Sequence, residues 1–196
     1  MTAQLRLAIS MRGGVSLAVW IGGALAEIDV LRRSRPSTGV TPSADPNAPI
    51  YARLLDLAGY TSVQVDVLSG ASAGGLNGAI YATSLMYDVD FRHMLPIWVR
   101  LADLESMIRV DTKDPATGRP ADSLLEGDDY FLTALTTELG QLTAASSQGP
   151  LPLVTYLDLV LTGTLLTPTE EIVVGAPGEN MSIGRPAPAC RRWPSS

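Results

Sequence analysis

Val63-Gln64-Val65-Asp66-Val67-Leu68-Ser69-Gly70-Ala71-Ser72-Ala73-Gly74-Gly75-Leu76-Asn77-Gly78 is the stretch that decides the fold. Val63, Val65 and Val67 alternate, which predicts a strand with these three side chains on one face. Residues 76–87 then read as a helix. Between the two lies a serine flanked only by small residues. That arrangement predicts a nucleophile elbow, a sharp strand-to-helix turn that exposes one hydroxyl. Gly70 and Gly74 give the turn its freedom and keep space clear beside Ser72. The hydroxyl would sit at a helix N-terminus, where developing negative charge is favoured.

Working outward, the same design occurs earlier in the chain. Residues 5–10 form a short apolar run that suits a buried strand. Gly13-Gly14 breaks it. Residues 16–33 then show helical spacing, with Leu17, Trp20, Ile21, Leu25, Ile28 and Leu31 recurring at three or four residues. Arg32 and Arg33 complement the helix dipole at its end. Arg6 and Arg12 before an apolar run, with Ala24-Leu25-Ala26 after it, also resemble a secretory signal. The amphipathic pattern continues past Ala26, which a signal peptide would not need, so the expected location is cytoplasmic, with peripheral contact to a membrane.

Further elements are weaker. Residues 34–49 form a Pro/Ser/Thr-rich loop, and residues 51–57 a short helix ending near Gly59. Residues 91–108 read as helical with a break near Pro96. Residues 130–142 read as a helix capped by Asp128 or Asp129. Residues 152–166 suit helix or strand, and residues 172–174 a strand. From Gly175 onward no pattern stands out. We therefore expect one domain over residues 1–178 and an irregular tail over 179–196, with frame-shift or truncation as its origin. Strands alternating with helices predict an α/β fold with a mainly parallel sheet. In such sheets functional groups gather at the carboxyl ends of the strands, where both glycine-rich turns fall.

Composition narrows the chemistry. The 196 residues carry 46% hydrophobic and 17% charged side chains, enough for a real core. The net charge of −6 and the absence of a basic stripe argue against nucleic acid. One cysteine, Cys190, excludes an internal disulfide, and one histidine, His93, argues against a His-rich metal site. Trp20 and Trp98 read as core or subunit contacts, and Trp193 lies far away in the tail.

Acyl transfer at a serine requires a nucleophile, a base and oxyanion donors. Ser72 is the candidate nucleophile. The backbone N–H groups around Gly13, Gly14 and Val15, with that of Ala73, are the candidate oxyanion hole. A triad would have to use His93 with Asp88 or Asp90, all crowded into one short stretch after Ser72. A serine working with a carboxylate fits the composition better. The phosphate-loop alternative lacks both a Gly-Lys-Ser/Thr ending and Gly-x-Gly-x-x-Gly.

The segments Gly13-Gly14-Val15-Ser16-Leu17-Ala18-Val19-Trp20 and Gly70-Ala71-Ser72-Ala73-Gly74-Gly75-Leu76-Asn77-Gly78 resemble patatin-like phospholipases, most of all their actinobacterial branch. The resemblance extends less strongly through Trp98 and residues 124–132 to about Thr167. It implies a three-layer α/β/α sandwich, incomplete in this chain, and hydrolysis of lipid acyl esters by a Ser–Asp dyad without metal or cofactor. Ser72 would be the nucleophile and Gly13-Gly14 the oxyanion loop. Two positions depart from the family's pattern. Met11-Arg12 precede two glycines rather than three, and Ser16-Leu17 stand where an Arg-Gly pair is usual, leaving Arg12 as a candidate anion contact. No Asp-Gly dipeptide occurs, so the dyad aspartate is assigned neither to Asp128, Asp129 nor Asp158. An inactive lipid-binding or interaction module is the alternative.

Overall fold

The structure is a computed structural model that describes residues 3–14, 17–36, 39–101, 104–109, 113, 118, 123–145, 157–163, 169–174 and 180–185. It divides into two compact units, Met1–Thr162 and Gly163–Ser196.

In the first unit, β1 (Ala3–Met11) pairs in parallel with β2 (Tyr60–Ala71), which pairs in parallel with β3 (Asp158–Thr162). The sheet order β1-β2-β3 keeps strands that follow one another in sequence adjacent in the sheet. Helices α1 (Leu17–Ser34), α2 (Ala48–Ala58) and α3 (Ala73–Tyr87) fill the crossovers. The α/β class and the parallel sheet expected from the sequence are both present. A parallel neighbour requires such a crossover, and the helices bury one face of the sheet.

The alternation in β2 differs from expectation. The pairing steps from Leu7↔Val65 to Ala8↔Val67 and skips Asp66, a β-bulge. Val63 and Val65 are buried as predicted, but past the bulge the buried positions are Leu68 and Gly70, and Val67 is only half-buried. One extra residue resets a period of two, so the third valine leaves the face of the first two. Arg6 of β1 holds the bulged Asp66 by two hydrogen bonds of 2.7 and 3.0 Å.

The core lies between this sheet face and the helices. Ile21 and Leu25 from α1, Leu68 from β2 and Ile80, Tyr81 and Leu85 from α3 form its centre. Tyr81 and Phe91 meet edge to face with ring centroids 5.0 Å apart. Of the two roles expected for Trp20, core or subunit contact, the structure overturns the core one. With Ala18, Ile21 and Leu25 turned inward, position 20 falls on the outer flank of α1, where it is 71% exposed. The helix runs unbroken through Ala26, which is buried.

At the far end of α1 the core closes on a buried ionic cluster. Asp29 accepts from Arg32 at 2.8 and 3.1 Å, from Arg33 at 2.8 Å and from the Phe91 N–H at 3.1 Å. Asp88, the left-handed C-cap of α3, pairs with Arg33 at 2.8 Å and accepts from the Thr41 N–H at 2.7 Å. Burial opposes the charge on Arg32, but Asp29, Tyr81 and Asp88 together outweigh it and the guanidinium holds its proton above the ordinary range. Burial likewise pushes the Tyr81 phenol upward.

Beyond α3, a 3₁₀ turn (Phe91–Met94) leads into α4 (Leu95–Leu101) and α5 (Leu104–Met107). Pro96 stands in the first turn of α4, where its missing N–H is tolerated. A π-helical turn (Gly127–Leu132) precedes α6 (Thr133–Ala145). This corrects the expected cap. Asp128 and Asp129 lie inside the turn because the Phe131 N–H reaches back to the carbonyl of Glu126 at 3.2 Å.

In the second unit, β4 (Thr169–Val174) and β5 (Asn180–Arg185) form an antiparallel pair. The strand predicted at 172–174 belongs to β4. β5 lies where the sequence shows no pattern, since a six-residue strand with Gly184 in it carries little periodic signal.

Candidate active site

Ser72 stands between the last residue of β2 and the first of α3, with φ 51° and ψ −126°. A side chain rarely adopts a positive φ, so this backbone is strained, and the packing around it enforces the strain. A Cβ on Gly70 would lie 2.4 Å from the carbonyl carbon of Gly74, and one on Gly74 would lie 2.5 Å from the Met11 carbonyl oxygen. These glycines let β1, β2 and α3 meet where no side chain fits. The Ser72 carbonyl accepts from the Leu76 N–H at 3.0 Å and starts the helix. Its hydroxyl makes no capping bond and the residue is exposed.

The other glycine turn arrives at the same point. A Cβ on Gly13 would lie 2.8 Å from the Ser72 Cβ and 3.0 Å from the Ala71 carbonyl oxygen. Gly14 follows with φ 148°, and its carbonyl accepts from the Leu17 N–H at 3.2 Å to open α1. The structure therefore brings Gly13, Gly14, Gly70, Ser72, Ala73 and Gly74 together. Val15 lies outside the described residues. Arg12 is exposed beside the same loop.

Ser72 opens onto an apolar cavity of about 590 Å³. Ala18, Leu76, Trp98, Leu101, Phe131 and Leu161 are among its walls. Phe131 comes from the π-helical turn. Met107 reaches the cavity because its segment pairs with residues 124–126, through the Arg109 N–H to Leu124 and the Glu126 N–H to Met107, both 2.9 Å. Trp98, read from sequence as a core or subunit contact, is buried and also forms a wall of the cavity.

The histidine triad does not assemble. His93 is exposed on the 3₁₀ turn beyond α3, and Asp88 and Asp90 flank the same end. α3 has 15 residues, so that end lies about 20 Å from Ser72. Asp88 is committed to Arg33 and Asp90 to Arg92. Burial raises the affinity of Asp90 for its proton, but the Arg92 hydrogen bonds outweigh it and hold the carboxyl below its usual range. Asp158 begins β3 opposite Val67, while Thr162 stands opposite Ala71 at the Ser72 end. No described carboxylate is hydrogen-bonded to Ser72.

Sequence reasoning passed over Asn77. This residue is wholly buried, and its amide donates to the carbonyls of Ala18 and Ala73, each at 3.0 Å. Its oxygen accepts from the Trp98 indole N–H at 2.9 Å. A polar residue four positions after Ala73, on a helix otherwise made of small and apolar residues, was the available signal.

The sequence matches the patatin-like phospholipase family over residues 9–182. The chain belongs to this family. It is 33% identical over 186 residues to a Mycobacterium tuberculosis protein described as an uncharacterized membrane protein. That alignment covers 89% of this chain but 16% of the relative, so the chain spans about a sixth of the relative's length. No solved structure matches. Among the described residues, no helix is long and apolar enough to cross a membrane.

Proposed function

We propose that this patatin-like chain carries a serine acyl hydrolase site for lipid acyl esters, with Ser72 as nucleophile. The observation that carries the reading is the strained Ser72, packed against Gly13 and opening into the apolar cavity. An acyl chain has no polar groups to satisfy, and an apolar cavity of this size suits one. Family membership supports a lipid substrate.

In the proposed reaction the Ser72 Oγ attacks the ester carbonyl carbon, and its proton passes to a carboxylate base. The carbonyl oxygen becomes an oxyanion held by backbone N–H groups of the Gly13-Gly14 loop and of Ala73. The C–O bond to the alcohol then breaks, and the alcohol leaves with the proton. Water cleaves the acyl-serine by the reverse path, returning the hydroxyl and releasing the fatty acid. Each donor would contribute about 2.7–4 kcal/mol in the transition state. Arg12, exposed beside the loop, is the candidate contact for an anionic group of the lipid. Peripheral membrane contact belongs to the same proposal, since the substrate resides there.

One observation favours a second reading. The described carboxylates leave Ser72 without a base, which suits a module that binds lipid without turning it over. Labelling by an alkyl fluorophosphonate, followed by intact mass, separates the two. Ser72-dependent labelling together with hydrolysis of a p-nitrophenyl acyl ester supports the hydrolase, and Ser72→Ala loses both. Vesicle binding with neither labelling nor turnover overturns the hydrolase reading.

A further inference from the structure

We infer that Asn77 is a positioning residue that fixes the oxyanion loop against the nucleophile and ties both to the wall of the acyl cavity. The inference rests on the serine hydrolase reading.

Asn77 joins three elements. Its Nδ2 reaches Ala18 in the first turn of α1, directly after the Gly13-Gly14 loop, and Ala73, the neighbour of Ser72. Its Oδ1 takes the Trp98 indole proton from α4. Ala18, Ala73 and Trp98 all line the cavity that holds Ser72. The bonds therefore hold three walls of one site at a fixed spacing.

Two arguments set this apart from ordinary core packing. The Ala18 and Ala73 carbonyls sit inside helices, where the i+4 amide already bonds them. The Asn77 side chain is not needed to satisfy them, so its bonds locate the two helix ends. A buried amide also carries a desolvation cost that a leucine of similar volume would not. Close packing leaves little slack around it. A Cβ added at Gly22 would already stand 3.4 Å from both the Asn77 Oδ1 and the Trp98 ring. Loss of the amide would let α1 slide on α3 and carry the Gly13-Gly14 loop away from Ser72.

The test uses the full chain with Asn77→Leu, Asn77→Ser and Trp98→Phe. Folding is checked by circular dichroism and melting. Ser72 labelling is timed with short- and long-alkyl fluorophosphonates, and backbone movement is followed by hydrogen exchange. Asn77→Leu should fold and label about 10–100-fold more slowly with both probes, as a small misplacement of catalytic groups would cause. Trp98→Phe keeps both Nδ2 bonds. It should slow labelling only a few-fold, and chiefly with the long-alkyl probe. Exchange should rise in the segment carrying Gly13, Gly14 and Leu17 in the Asn77 variants, and stay unchanged around Asp29. Wild-type labelling rates in Asn77→Leu overturn the inference and leave the hydrolase reading standing. A wild-type chain that never labels overturns the hydrolase reading, and the exchange pattern then decides whether Asn77 positions the loop. Should Asn77→Leu not fold, Asn77→Ser and Trp98→Phe decide by the same two readouts.

Discussion

Replacing Gly13 by alanine probes the meeting of the two glycine turns most directly. The new Cβ would stand 2.8 Å from the Ser72 Cβ and 3.0 Å from the Ala71 carbonyl oxygen, where ordinary contact begins at 3.4 Å. The loop must therefore retreat by at least about 0.6 Å, because neither partner is the free end of a flexible side chain. Overpacking of this kind costs about 1–3 kcal/mol. For a chain of this size each kcal/mol lowers Tm by roughly 2–4 °C. The kinetic effect should be larger. A misplacement of about 1 Å costs on the order of 100-fold, so a shift near 0.6 Å should slow Ser72 labelling about 10–100-fold. The assay is the second-order rate of fluorophosphonate labelling, read by intact mass, with a thermal melt alongside. Gly23→Ala in α1 is the control, since a Cβ there meets nothing within 4 Å. It should melt no lower than the wild type and label at its rate. Labelling of Gly13→Ala within twofold of wild type would refute the placement of the loop against Ser72.

Other perturbations read different parts of the molecule. Ser72→Gly relieves a positive φ and should raise Tm by an amount worth up to about 1 kcal/mol while abolishing labelling; a lower Tm would contradict the strain. Asp29→Asn leaves Arg32 and Arg33 without their shared carboxylate and should cost about 3–5 kcal/mol in urea unfolding, against a change below 1 kcal/mol if the cluster contributes little. Asp90, whose carboxyl sits below its usual range, stabilises the fold above its unfolded pKa and loses that effect as the pH falls through its folded value. The Tm gap between wild type and Asp90→Asn should be widest near neutrality and close in acid; a gap independent of pH would remove the ion pair from the account. Ala79→Phe places a ring in the cavity and should block a long-alkyl fluorophosphonate while sparing a short one, so equal loss of both would argue against an acyl cavity.

Much of this architecture is legible in the chain because it rests on local signals. The two strand–glycine–helix units can be read from periodicity and from glycines whose backbone must turn. Their convergence on one point could be expected only from the rule that parallel strands gather their carboxyl ends. What escaped detection is non-local. The bulge at Asp66 arises in the pairing with β1, whose Arg6, 60 residues away, holds it, so alternation alone placed Val67 on the wrong face. The π-helical turn at Gly127–Leu132 has no sequence signature, and Asp128 and Asp129 imitate a cap. Trp20 obeys the apolar spacing of α1 yet sits on its flank, because spacing gives the width of a stripe and not its centre. Asn77 shows its importance only through Ala18 and Trp98, which lie 59 residues before it and 21 after it.

The bulge in β2 also determines how the chain tolerates change in length. Downstream of it, Leu68 and Gly70 face the helices, and Ser72 emerges where it does because this phase has been reset once. Removing Asp66 would restore strict alternation and keep every later residue on its present face, since Val67 already pairs with Ala8, the neighbour of Leu7. Gly70 would still lie against Gly74, and the elbow would keep its seat. A one-residue deletion between Leu68 and Gly70 is different, because it turns one of these two away from the helices. Loss of Asp66 should therefore silence the serine less than loss of Ser69. In mechanical terms the site has one residue of play, and it lies at Asp66.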